Sequence, residues 1–73
     1  MTKTTNIYRK IASNIRRVRK DRNITQESLA HDAGLNRAYI GYIERGERKP
    51  SVETLEKIAK SLNVRIFELF IFE

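Results

Sequence analysis

Residues 26–45, QESLAHDAGLNRAYIGYIER, decide the fold of this chain. They predict two short helices joined by a three-residue turn that begins at Gly34, because glycine adopts the left-handed backbone conformation without steric cost. Ala30 is small where the two helices must cross, and Ile40 and Ile43 anchor the second helix to a core. Each of these residues is ordinary in a helical core, but their spacing together predicts a tight helical corner.

The residues before the corner predict a long first helix. Apolar side chains recur there every three or four positions, at Ile7, Ile11, Ile15 and Val18. That spacing predicts a helix over residues 8–22 that ends near Asn23. Thr25 and Asn36 are residue types that cap helix N-termini, and they precede the two helices of the corner.

The residues after the corner predict two more helices. Pro50 interrupts the pattern, and Ser51 begins a fourth helix that ends at Asn63. Residues 66–72 are apolar except for Glu68 and predict a short fifth helix. No alternating pattern predicts a strand. The sequence therefore predicts one all-α domain of five helices over residues 1–73.

The positive charge of the chain is concentrated at its beginning. The net charge is +6, and residues 1–22 hold eight basic side chains against one acidic side chain. Such a segment favours a polyanionic partner, either nucleic acid or an anionic membrane surface. On charge alone, a helix face that serves only solubility is an equal alternative. Beside the helical corner, the basic first helix favours DNA.

Several other function classes are not expected. Without cysteine there is no disulfide, thiolate zinc site or thiol nucleophile, and His31 is the only histidine. The carboxylates form no arrangement typical of catalysis, and 73 residues leave no room for a separate catalytic or ligand-binding domain. We expect no enzyme, cofactor, metal or small-molecule ligand. Because no apolar run has the length of a membrane span or signal peptide, we expect a cytoplasmic protein.

Six segments carry a resemblance to a known family: IRRVR (15–19), ITQESLA (24–30), AGL (33–35), YI (39–40), IERG (43–46) and PSVETLEKIA (50–59). They resemble the Cro and lambda-repressor-like (XRE-type) helix-turn-helix family, and the likeness extends over residues 15–70. Within it, residues 35–48 are most similar to the controller proteins of restriction-modification systems. Phage and plasmid regulators share similar sequences.

The resemblance implies a lambda-repressor-like domain that binds double-stranded DNA, with the helix that starts near Arg37 in the major groove. The implied base contacts are Arg37, Ala38, Tyr39 and Tyr42, of which Arg37 suits guanine best. Tyr39 has packing against the corner as a nearly equal alternative. The implied phosphate contacts are Thr25, Gln26, Asn36, Arg45, Arg48 and Lys49. For Gln26 the alternative is a plain helix starter, and for the basic residues it is solubility.

Two further expectations concern an ion pair within the chain and a dimer between two copies of it. The resemblance implies a structural ion pair between Arg19 and Glu44. The apolar surplus near the end of the chain exceeds what one small core can bury, which predicts a homodimer interface formed by Ile66, Phe67, Phe70 and Phe72. A dimer is expected to bind a palindromic operator and either to block RNA polymerase or to recruit it. The alternative is an antitoxin-like interaction module whose apolar end binds another protein.

Overall fold

A computed structural model describes residues 6–72, with four α-helices and one short 3-10 helix in that part of the chain. The α-helices are α1 (Asn6–Asp21), α2 (Gln26–Ala33), α3 (Arg37–Glu44) and α4 (Val52–Ser61), and the 3-10 helix is Ile66–Phe70. The all-helical class agrees with the sequence prediction. None of the described helices is long and apolar enough to cross a membrane.

The prediction of a fifth α-helix is wrong. Residues Ile66–Phe70 form a 3-10 helix, in which Glu68 N–H donates to the Arg65 carbonyl at 2.9 Å. The Glu68 carboxylate turns back to accept from Arg65 N–H at 3.0 Å. Ile71 is already extended, so only five residues are helical, and so short a segment favours the tighter helix.

The helix ends follow from local residue chemistry. Thr25 Oγ1 accepts from Ser28 N–H at 3.0 Å, Asn36 Oδ1 accepts from Ala38 N–H at 2.7 Å, and Ser51 Oγ accepts from Thr54 N–H at 3.1 Å. Each bond satisfies a backbone donor that the first turn of a helix leaves free. After α1 and α4 the chain turns through Asn23 and Asn63, which adopt left-handed backbone angles.

One core joins all five elements. The buried cluster takes side chains from each of them: Ile11, Ile15, Leu29, Ala30, Ile40, Ile43, Leu55, Ile58, Ala59, Leu62 and Leu69. Helix α2 packs against α3 and α4, while α1 packs against α3 and the 3-10 helix. Full burial of an isoleucine or leucine side chain contributes roughly 1.5–3 kcal/mol. The core therefore fixes the orientation of α3, whose outer surface remains in solvent.

Candidate nucleic-acid interface

The α2–α3 corner is built around a left-handed glycine. Gly34 has a φ of 70°, and the next N–H, that of Leu35, donates to the Ala30 carbonyl at 2.8 Å. This bond closes the end of α2 and brings the chain back into α3 within three residues. Ala30 is buried at the crossing, so the two helices are held tightly against each other.

The first two residues of α3 point away from the core. Arg37 and Ala38 are exposed, while Ile40 and Ile43 are buried. The four predicted base-contacting residues thus divide into two groups. Arg37, Ala38 and Tyr42 face solvent, whereas Tyr39 is half-buried and packs against the core. An exposed arginine at the start of a helix that is fixed to the core is suited to enter the major groove of DNA.

Arg19 and Glu44 meet beneath this surface. Arg19 Nε donates to Glu44 Oε2 at 2.7 Å, and Arg19 Nη2 donates to Glu44 Oε1 at 3.0 Å. A third donor of Arg19, Nη1, reaches the Ile24 carbonyl at 2.8 Å. Both side chains are almost fully buried, so the ion pair links α1 to α3 in a region of reduced solvent screening.

Gln26 joins the same network, which the sequence did not reveal. Its Nε2 donates to Glu44 Oε1 at 3.0 Å. Because an amide nitrogen carries two hydrogens, one donor remains for another acceptor after this bond is made. Glu44 therefore orients the side chain at the start of α2 that was predicted to contact phosphate.

Gly41 makes room for two of the predicted phosphate contacts. A Cβ on Gly41 would lie 3.3 Å from Arg45 Nη1 and 4.0 Å from Gln26 Oε1. The bare backbone of α3 thus lets both side-chain ends lie across the helix. The sequence shows this arrangement only as a glycine within a helix, a position where glycine lowers helix stability by roughly 1 kcal/mol relative to alanine.

Tyr42 gathers two arginines at the end of α3. The guanidinium carbons of Arg45 and Arg48 lie 5.1 Å and 4.8 Å from its ring centroid, within the range of cation–π attraction. Arg45 also pairs with Glu47, with Nη2 and Oε1 3.1 Å apart. The spacing of Tyr42 and Arg45 by three residues was a sequence signal for the first contact. The Arg48 contact depends on how the following loop folds back.

The remaining predicted phosphate contacts lie around the corner. Thr25, Asn36, Arg48 and Lys49 are exposed, and Gln26 is half-buried. The caps of Thr25 and Asn36 use one side-chain oxygen each. Lys49 Nζ lies 5.9 Å from the ring centroid of Tyr8, which ties the loop after α3 to α1.

The four residues predicted for a dimer interface differ in exposure. Ile66 and Phe72 are half-buried and pack against the core, whereas Phe67 and Phe70 are 59% and 37% exposed. Ile71, outside the predicted set, is 59% exposed. Asn14 of α1 holds this segment in place by donating from Nδ2 to the carbonyls of Leu69 and Ile71, at 2.9 and 3.1 Å.

Potential metal ligands are not clustered in the described part of the chain. Residues 6–72 contain no group of three His, Cys, Asp or Glu side chains placed to hold a metal ion. The acidic side chain at the centre of the site, Glu44, is already occupied by Arg19 and Gln26.

A helical corner, an exposed first turn on its second helix and basic side chains around it define a DNA-binding protein of the helix-turn-helix class. Residues 15–69 match the helix-turn-helix family model, and the chain belongs to that family. It is a DNA-binding transcriptional regulator, as its relatives indicate, and the family predicted from the sequence is confirmed.

Two sequence relatives are control proteins. The chain is 44% identical over 59 residues to control protein C.SmaI of Serratia marcescens, covering 81% of this chain and 70% of that protein. It is 40% identical over 70 residues to control protein C.BamHI of Bacillus amyloliquefaciens, covering 94% and 86%.

Two solved structures have the same fold. The restriction-modification controller protein C.AhdI from Aeromonas hydrophila is 36% identical, with a TM-score of 0.84 and coverage of 86% of this chain and 96% of that one. The controller protein C.Esp1396I, as a tetramer in complex with its natural 35-base-pair operator, is also 36% identical. Its TM-score is 0.82, and 88% of each chain is covered.

Proposed function

We propose that this regulator is the controller protein of a restriction-modification system and that it binds a palindromic operator as a homodimer. The observation that carries the proposal is the exposed first turn of α3, where Arg37 and Ala38 project from a helix whose opposite face is locked into the core. The similarity to C.SmaI and C.BamHI supports the controller role. We expect it to act in the cytoplasm, without a catalytic step, cofactor or small-molecule ligand.

Base recognition falls to the exposed side chains of α3. A guanidinium can donate two parallel hydrogen bonds to O6 and N7 of guanine. No other base presents this pair of acceptors in the major groove. We assign this contact to Arg37. Ala38 offers a methyl group to thymine, and Tyr42 contacts the duplex beside it. Tyr39 reaches a base only with the outer edge of its half-buried ring.

The proposed phosphate contacts surround the start of α3 and fix its position along the duplex. Gln26 and Thr25 lie at the N-terminus of α2, and Asn36 lies at that of α3, where free N–H groups and the helix dipole favour an anion. Arg45, Arg48 and Lys49 follow α3 and contribute charge. Contacts of this kind supply affinity that does not depend on sequence.

The homodimer places two copies of α3 on one face of the duplex. We assign its centre to Phe67 and Phe70, whose exposed rings lie outside the core, with Ile66 and Phe72 supporting them from below. A two-fold axis through this surface sets the recognition helices about one DNA turn, roughly 34 Å, apart. An operator near a promoter then lets the dimer block RNA polymerase or recruit it.

The experiment is a gel-shift titration against the DNA upstream of the protein's own gene. We expect a discrete complex that a random duplex of the same length does not displace at equal concentration. Equal affinity for both duplexes would mean phosphate-only binding to the upstream DNA, which would refute the autoregulatory role while DNA binding stands. If neither duplex is bound, DNA binding itself is wrong.

A second candidate is supported by the apolar surface itself. Phe67 and Ile71 are both more than half exposed, which suits an antitoxin-like module that binds another protein there. Analytical ultracentrifugation of the purified chain distinguishes the two. A dimer at micromolar concentration favours self-association, and a monomer up to the highest soluble concentration favours a foreign partner.

A further inference from the structure

A groove between α1 and α3 lies beside the predicted DNA contacts but includes residues that have no assigned role. It has a volume of about 290 Å³ and is lined by Arg9, Ala12, Ser13, Arg16, Glu44 and Arg45. The four α1 residues follow the i, i+3, i+4, i+7 spacing of one helix face, so the two arginines lie at either end of the same face. Their separation of seven positions corresponds to roughly 10 Å along the helix axis.

The charge of this groove is strongly positive. Glu44 contributes little free negative charge, because both of its oxygens accept hydrogen bonds from Arg19 and one also accepts from Gln26. Arg45 is partly offset by Glu47 at 3.1 Å, in a pair that is half exposed. Among the described residues, Arg9 and Arg16 form no ion pair. Two exposed guanidiniums are therefore ready to bind an anion.

The groove is continuous with the loop that follows α3. A Cβ on Gly46 would lie 3.2 Å from Arg9 Cγ and 3.7 Å from Arg9 Cα, so the absence of a side chain on Gly46 lets the loop lie directly on α1. Tyr8 and Lys49 meet at the same place, 5.9 Å from ring centroid to Nζ. Arg9 is thus held next to the segment that carries Arg48 and Lys49.

We propose that the α1–α3 groove, through Arg9 and Arg16, is an additional binding site for the phosphate backbone of the bound duplex. Guanidinium groups donate paired hydrogen bonds to phosphate oxygens, and the exposed hydroxyl of Ser13 supplies a further donor between them. The site rests on the proposed DNA binding and extends it from α3 to α1. It contributes affinity and salt dependence, and it does not select bases.

The test compares the salt dependence of operator binding for three double variants and the wild type. Arg9→Gln with Arg16→Gln removes the two guanidiniums. Lys57→Gln with Lys60→Gln removes the same amount of charge from exposed positions on α4, outside the groove. Arg9→Lys with Arg16→Lys keeps the charge. Circular dichroism melts show whether each variant is folded.

We expect the glutamine variant of the groove to lower the slope of log K against log salt by up to about 1.8, from about 0.9 per lost phosphate contact. It should lose affinity equally on operator and random duplex. The matched control should keep the wild-type slope, and the lysine variant should recover most of it.

Three outcomes overturn the inference: an unchanged slope in the folded glutamine variant, an equal drop in the matched control, or a loss confined to the operator. A groove variant that binds DNA normally but fails to regulate a promoter would assign the groove to an acidic protein surface instead. Failure of the wild type to bind any duplex would be a failure of the proposed function and is distinct from all of these.

Discussion

Glu44 is the residue that most needs explanation, because its carboxylate lies behind the surface that we propose contacts DNA phosphates. Its burial would be costly if it were alone, but Arg19 supplies two donors and Gln26 a third. The carboxylate is therefore neutralised locally and does not repel DNA. Its role is to orient the helices, because its hydrogen bonds connect the end of α3 to the end of α1 and to the start of α2.

Removing Glu44 should be far more damaging than removing the whole ion pair. Glu44→Ala leaves the buried guanidinium of Arg19 without its partner, and we expect a loss of about 3–5 kcal/mol in the free energy of unfolding. The double variant Arg19→Met with Glu44→Leu should be clearly more stable than Glu44→Ala. Urea unfolding monitored by circular dichroism measures both. If the double variant loses as much as the sum of the single variants Arg19→Met and Glu44→Leu, the coupling is absent.

Arg37 and Lys49 should respond differently to truncation, although both are exposed basic residues. Arg37→Ala should cost about 1–3 kcal/mol on the operator and relax the base preference at one position. Lys49→Ala should weaken binding to all sequences alike and lower the salt slope by about one unit. Fluorescence anisotropy titrations on operator and random duplexes at several salt concentrations separate the two effects. Equal loss on both duplexes for Arg37→Ala would rule out its role in base recognition.

At the scale of the elements, the sequence predicted what depends on nearby residues. Thr25, Asn36 and Ser51 cap their helices because short polar side chains reach back to a donor two or three residues away. The turn at Gly34 follows in the same way from its backbone freedom. The last element was mispredicted because an apolar run of seven residues contains no information on whether five of them will form an α-helix or a 3-10 helix.

The two glycines of the corner should react in opposite ways to alanine. Gly34→Ala forces a side chain into a left-handed conformation and should cost about 1–2 kcal/mol. Gly41→Ala relieves the cost of glycine within α3 and should gain up to about 1 kcal/mol, because the nearest atoms to the new methyl are flexible side-chain ends. Thermal unfolding should show a lower Tm for the first variant and a higher Tm for the second. A lower Tm for both would mean that Arg45 and Gln26 cannot move aside.

The contacts that the sequence did not reveal join residues far apart in the chain. Asn14 bonds to carbonyls 55 and 57 residues away, and Gln26 bonds to Glu44 across 18 residues. Such contacts depend on where the core places each helix, and helix periodicity specifies only which face is buried. The Arg19–Glu44 expectation came from family resemblance, which carries this tertiary information in a way that single-residue chemistry does not.

At the scale of the whole molecule, the predicted base contacts and the predicted dimer residues lie on different elements. Arg37 is on α3, whereas Phe67 and Phe70 are on the 3-10 helix near the end of the chain. Basic side chains of α1 border this second group, since Lys10 Nζ lies 5.5 Å from the ring centroid of Phe72. Variants at Arg37 and Phe67 therefore test the two proposed surfaces separately.

Phe67→Asp should convert the proposed dimer into a monomer while the core stays intact, because the ring is mostly outside it. Placing a charge in an apolar interface should raise the dimer dissociation constant at least about 30-fold, from a loss of about 2 kcal/mol or more. Sedimentation velocity measures the association state, and the same sample should lose operator affinity. Val52→Asp, which replaces another exposed apolar residue, is the control and should remain dimeric. A dimeric Phe67→Asp variant would move the interface elsewhere.

The bonds of Asn14 to the backbone of the last described residues bear on which operators the protein can accept. Because one amide fastens this segment to α1, and α1 packs against α3, we expect the proposed dimer to hold its two α3 helices at a fixed distance. One extra base pair at the centre of the site displaces the outer contacts by about 3.4 Å. A dimer with a fixed spacing cannot absorb that step, so we expect the distance between the two half-sites of the operator to contribute to specificity together with their bases.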